Sequence, residues 1–173
     1  VQTQFKAKTI TVIDIPGLQL HRVGDGQLDA HLWLDSSNAV RIAKAIAERA
    51  AKMDPVNATY YRQNLEKFSV EIESRNQQIA QKFQAPPATN YAVYHNAYQY
   101  FEQQFGLQHD MIILGDPEVQ PSIRETIQLR SQVNDQRPSC LLLEFDSSSD
   151  LVSTVLNGHE LKQITVDLLG SNV

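Results

Sequence analysis

NYAVYHNAYQYFEQQFG, Asn90–Gly106, is the stretch that decides the fold. Its first half is an apolar run, and its second half has helical spacing that Gly106 ends. His95 stands at the junction, where strand gives way to helix. The same rhythm continues downstream. Strand Met111–Leu114 leads through Gly115-Asp116-Pro117 to a helix over Ser122–Asp135, with Ile123, Ile127, Arg130 and Val133 on one stripe. Strand Cys140–Leu143 leads to helix Ser149–Leu156, ended by Gly158, and strand Lys162–Val166 follows. Alternation of this kind predicts βαβ crossovers and a parallel sheet with helices on both faces, an α/β class. Near-continuous apolar strands such as CLLL agree with it.

Upstream the pattern is different. Thr9–Ile15 (TITVIDI) is β-branched and reads as a strand ended by Pro16-Gly17. Residues 18–28 read as loop. DAHLWLD, Asp29–Asp35, alternates with a period of two and reads as a short strand. Asp35, Ser36 or Ser37 then caps a helix whose apolar stripe is Val40, Ala43, Ile46, Ala47 and Ala50. Asp54-Pro55 starts a long amphipathic helix to about Phe83, which Ala85-Pro86-Pro87 breaks. A helix of that length suggests a spine or coiled-coil arm rather than a core element.

The totals narrow the function. The chain has 173 residues, 42% hydrophobic and 20% charged, with a formal net charge of −5, so it is globular in composition and lacks the basic balance of a nucleic-acid binder. The single cysteine, Cys140, excludes an internal disulfide and a CxxC zinc knuckle, and reads as a buried small hydrophobe. No run is long and apolar enough to span a membrane. There is no GxGxxG after a strand, and no GxxxxGK[ST], GxSxG or HExxH. Both ends look cut, so a fragment is expected.

In an open parallel sheet, ligands bind beyond the carboxyl ends of the strands. His95, Asp116, Glu144 and Asp167 follow the four strands at that edge. An imidazole among carboxylates suits a divalent metal or general acid–base work. The plainer reading is that acidic residues after strands cap the next helix. That reading fits Asp116 best and Asp167 least, since no helix follows Asp167. His31, beside Trp33, is the second candidate; by itself it also reads as an ordinary exposed histidine. His21, His109 and His159 read as surface residues without companions.

Taken together, the two histidine segments resemble a known family. DAHLWLD resembles the D-P-H-x-W-L-[DS] segment of the metal-binding, cluster A-I solute-binding proteins of ABC importers. YAVYHNAYQYFEQQFGL resembles their F-x-H-[DN]-A-Y-x-Y-F-x-x-x-[FY]-G-L segment. GDPEVQPS resembles N-P-E-x-[QE]-P-S, and SCLLLEFDSSSDLV and TVDLLGSN resemble the later F-x-E-P-Q-F and L-D-P-L-G segments, in the same order. The resemblance covers nearly the whole chain and is strongest to the zinc-uptake branch.

That resemblance implies two α/β lobes with parallel sheets flanked by helices, joined by one long spine helix, with the metal in the cleft between them. Residues 1–54 would be the remnant of an incomplete N-terminal lobe, 55–85 the spine and 86–173 the C-terminal α/β lobe. It implies His31, His95 and Asp167 as ligands to Zn²⁺, with Mn²⁺ as the alternative. Manganese-selective relatives carry a glutamate where this chain has His95, and imidazole favours zinc. It implies a periplasmic protein that hands the ion to a membrane ABC permease and catalyses nothing. Affinity would fall as pH drops through about 6.5, the ordinary imidazole value. An adhesin-like surface lipoprotein and a zinc hydrolase are the rival readings.

The departures are specific. A further family histidine precedes the first residue of this chain. The family's histidine-rich mobile loop would fall in the short RVGDGQLD, which follows the lone His21. Ala30 replaces a proline. E-P-Q-F has become EFDS at Glu144–Ser147, which weakens a supporting role for Glu144. The family's terminal helix and its cysteine are missing, which would leave Cys140 unpaired.

Overall fold

Four strands form the parallel sheet that the apolar runs predict. The structure is a computed structural model that describes residues 9–24, 26–84, 90–116 and 119–171. By its internal contacts the chain divides into two compact units, Val1–Ala85 with Tyr98–Gly106, and Pro86–Ala97 with Leu107–Val173.

The second unit holds the sheet: β1 Tyr91–His95, β2 Met111–Leu114, β3 Cys140–Leu143 and β4 Lys162–Thr165. The strand order is β2-β1-β3-β4. All three pairings are parallel, with Ala92 opposite Met111, Tyr91 opposite Cys140 and Leu143 opposite Thr165. The strand bounds read from sequence agree to within a residue; β2 and β3 are uninterrupted apolar runs between breakers, whereas β4, Lys162–Thr165, is exposed throughout. The α/β class, with a parallel sheet flanked by helices, is the one found.

Two helices of this unit pack on one sheet face. They are Ile123–Gln136 (named α4 below) and Ser149–Leu156 (α5). The core joins Ala92, Tyr94, Met111, Ile113 and Leu141 from the strands to Leu129, Val133, Leu151, Val152 and Val155 from these helices. Here one expectation needs correction. Of the stripe Ile123, Ile127, Arg130 and Val133, only Val133 is buried; Ile123 is 83% exposed and Ile127 60%. Two overlapping apolar rows lie on this helix, and packing selects the one through Leu129. A capping box at Ser122 and Glu125 sets its start, and these hydrogen bonds hold the Glu125 carboxyl below its ordinary value. Helix α5 ends at Asn157, in the left-handed region at φ 46°, with Gly158 after it. Asparagine tolerates that region better than most side chains. Cys140 opens β3 and is half-buried rather than buried.

Among its described residues, the first unit holds three α-helices: α1 Ser36–Met53, α2 Ala58–Lys82 and α3 Gln99–Phe105. Asp35 is the N-cap of α1; its Oδ1 accepts from Ser37 N at 2.7 Å and Asn38 N at 3.0 Å. Asp35→Ala is expected to cost about 1 kcal/mol of stability, the usual worth of such a cap, read as a lower urea midpoint. On α1, Ala47 is buried and Ile46 is 53% exposed. A 3₁₀ turn, Pro55–Asn57, precedes α2, whose 25 residues include none that is buried. Gly106 ends α3 at φ +67°, a conformation that glycine adopts without the steric cost of a Cβ.

Both strands expected in the first unit are 3₁₀ turns instead. In TITVIDI the turn is Val12–Asp14, with Asp14 N bonded to Thr11 O. In DAHLWLD it is Leu32–Leu34. A strand needs a partner ladder, and here backbone groups are satisfied otherwise. Asn38, fully buried, takes Gln19 N on Oδ1 and donates Nδ2 to Gln19 O and Leu32 O. Within RVGDGQLD, Arg22 and Leu28 form an antiparallel bridge, and Val23 N donates to Gln27 O at 2.9 Å. The breaker Ala85-Pro86-Pro87, Pro117 and the opening residues 1–8 lie outside the described residues. No described helix is long and apolar enough to cross a membrane.

Candidate metal site

The two edges of the parallel sheet are built differently. At the amino end, polar residues stitch the fold. Asp110 Oδ2 accepts from Tyr91 N at 3.1 Å. Asn90 Nδ2 donates to the carbonyls of Gln136 and Arg137, and Ser139 Oγ donates to Asn90 Oδ1. At the carboxyl end, strand order brings chemistry together. Strands β1 and β3 are neighbours; His95 is the last residue of β1 and Glu144 follows β3. His95 Nδ1 lies 2.6 Å from Glu144 Oε2, and the side chains are only 11% and 9% exposed. Ser147 Oγ accepts from Glu144 N at 2.8 Å and steadies the turn that carries the carboxylate. An imidazole whose Nδ1 is held by a carboxylate directs Nε2 to a metal, the arrangement found around most ligating histidines.

Asp167 follows β4 and is half-buried; its Oδ1 accepts from Leu169 N at 3.2 Å. Asp116 is exposed and lines a cleft of about 480 Å³ with Ile112, Leu129 and Gln132. Its backbone O accepts from Val119 N at 3.1 Å, which closes a turn.

His31 belongs to the first unit. It is the N-cap residue of the Leu32–Leu34 turn, not a strand residue, and its ring is 5.6 Å from that of Trp33. Its Nδ1 is 2.8 Å from Asp29 Oδ1, with Asp29 side-chain exposure 1%. So each candidate histidine has a buried carboxylate on Nδ1. Asp29 was not singled out from sequence; the legible signal was the D-x-H spacing at a turn, where an Asp side chain reaches the backbone two residues on. His21 is not without companions. Its ring centroid is 4.4 Å from that of Tyr100. His109 contacts Tyr91 and His159 bonds Asn134.

The described residues thus bring His31 to Asp29 and His95 to Glu144. They assemble no group of three or more His, Cys, Asp or Glu able to hold an ion. Glu144→Gln keeps an acceptor for Nδ1–H and removes the charge. If His95 is a ligand, this change is expected to lower zinc affinity about 10–100-fold, the usual cost of losing such a supporting group. Calorimetric titration measures it.

The chain is similar to several known proteins. The chain is 28% identical over 148 residues to the high-affinity zinc uptake system protein ZnuA of Brucella abortus (strain 2308), covering 86% of this chain and 44% of that protein. It is equally similar to the protein of that name from Yersinia pestis, covering 86% and 46%. The chain therefore spans less than half the length of these curated relatives. A crystal structure of ZnuA superposes with a TM-score of 0.78 at 25% identity, over 90% of this chain and 60% of that one. The family model described as "Zinc-uptake complex component A periplasmic" matches residues 1–173, and the chain belongs to that ZnuA family.

Proposed function

We propose that this chain is part of a periplasmic zinc-binding protein that delivers Zn²⁺ to a membrane ABC importer and catalyses no reaction. His31 and His95 bind the ion through Nε2, with Asp167 as the carboxylate donor. The observation that carries this reading is the pair of buried carboxylates on the Nδ1 atoms of the two histidines. Neutral imidazole is a good zinc ligand and a poorer one for manganese. No nucleic-acid partner fits the net charge of −5.

The test is calorimetric titration of Zn²⁺ and of Mn²⁺ into the intact protein. The expected result is a single zinc site, tighter than the manganese site and weakened on acidification, because protons compete for imidazole. Zinc binding no tighter than manganese binding would overturn the choice of ion. Turnover of ester or peptide substrates in the presence of zinc would favour a hydrolase instead.

A further inference from the structure

We propose that Asp29 is a positioning residue for metal capture. It fixes the His31 imidazole as the Nδ1–H tautomer and so turns Nε2 toward an incoming Zn²⁺. This rests on the reading of His31 as a ligand.

The Asp29 backbone is itself held at both of its polar groups. Its backbone N donates to His21 O at 2.9 Å. Its backbone O accepts from the Tyr100 hydroxyl at 3.1 Å. That hydroxyl in turn accepts from His21 N at 2.9 Å. Tyr100 is fully buried, and burial is the main cause that raises its hydroxyl above the ordinary phenol value, so the phenol stays protonated and able to donate. The backbone that carries the carboxylate is thus anchored at both its N–H and its C=O. Its Oδ1 accepts from His31 N at 3.0 Å and meets His31 Nδ1 at 2.8 Å. These two contacts fix both the backbone turn and the ring. A carboxylate only accepts, so the ring nitrogen facing it carries the proton. Which nitrogen of a histidine takes a metal is set by the hydrogen bond that the other makes.

Asp29 Oδ2 is buried as well and has no hydrogen-bond partner among the described residues, so both contacts to His31 run through Oδ1.

Nitrogen NMR of the metal-free intact protein, with histidine labelled, tests the tautomer without any metal. The expected result is Nδ1–H at His31 in the wild type and in Asp29→Asn, whose carbonyl still accepts, and loss of that single tautomer in Asp29→Ala. Zinc affinity is then expected to fall about 10–100-fold in Asp29→Ala and by less in Asp29→Asn. A wild-type proton on Nε2, or an unchanged tautomer in Asp29→Ala, overturns the proposal. So does a changed tautomer with unchanged zinc affinity when His31→Ala has lost affinity. If His31→Ala itself binds zinc as the wild type does, the ligand reading fails, and with it the role in capture. The tautomer result separates that failure from a failure of the Asp29 geometry.

Discussion

His95→Ala is expected to lower the zinc affinity of the intact protein by more than the roughly 100-fold that marks the upper range for supporting residues. The reason is that, in the proposed ligand set, it removes a donor atom rather than the group that orients one. The substitution also takes from Glu144 the partner at 2.6 Å in a position where both side chains are about nine-tenths buried. A fall in stability therefore accompanies the fall in affinity and needs a separate control. His95→Gln provides it. Glutamine offers an amide N–H to Glu144 but is a poor zinc ligand, so it is expected to recover most of the thermal stability and little of the affinity. His109→Ala, at a half-buried histidine of the same unit, is expected to leave affinity unchanged. Zinc titration with parallel melting curves reads all three. Wild-type affinity in His95→Ala would remove His95 from the ligand set.

Tyr100→Ala is expected to be the most destabilising single change in the first unit, by about 3–5 kcal/mol, as for other large buried aromatics. Tyr100 has no exposed surface and its ring packs 4.4 Å from that of His21. Tyr100→Phe separates the two parts of that cost. It keeps the ring and deletes only the hydroxyl, which leaves His21 N–H without its acceptor and Asp29 C=O without its donor. Leaving buried groups unsatisfied costs about 1–3 kcal/mol. Urea denaturation followed by circular dichroism gives both values. A Tyr100→Phe protein as stable as the wild type would show that water replaces the hydroxyl, and that the clamp on Asp29 is weak.

The second unit was largely legible because its signals are local. MIIL and CLLL are apolar throughout and bounded by breakers, and their observed bounds match the reading. The first unit was less so. TITVIDI and DAHLWLD each satisfy a period of two over seven residues, but a pattern that short fits a turn as well as a strand. The buried Asn38 side chain, which bonds both Gln19 and the Leu32 carbonyl, settled it. No sequence window containing DAHLWLD alone reports that bond. The stripe on α4 failed for a related reason: periodicity names several apolar rows, and the neighbouring helix and sheet choose among them.

The candidate site divides along the same line. His31, His95 and Asp167 were named from residue type, position after a strand, and family resemblance. Their carboxylate partners were not so evenly visible. Glu144 meets His95 because β3 lies beside β1, with β2 on the other side. That order inverts the sequence order, and 49 residues separate the pair. Asp29 meets His31 across two residues, yet only the 3₁₀ turn makes the contact; in the expected strand the two would lie on the same face with their backbone groups committed to a ladder. What the sequence determined by itself was element type where apolar runs are long, the parallel sheet, and the sheet edge at which His95, Glu144 and Asp167 stand. Tertiary structure alone decided which carboxylate each imidazole faces, because that depends on strand order and on where buried backbone groups find their partners.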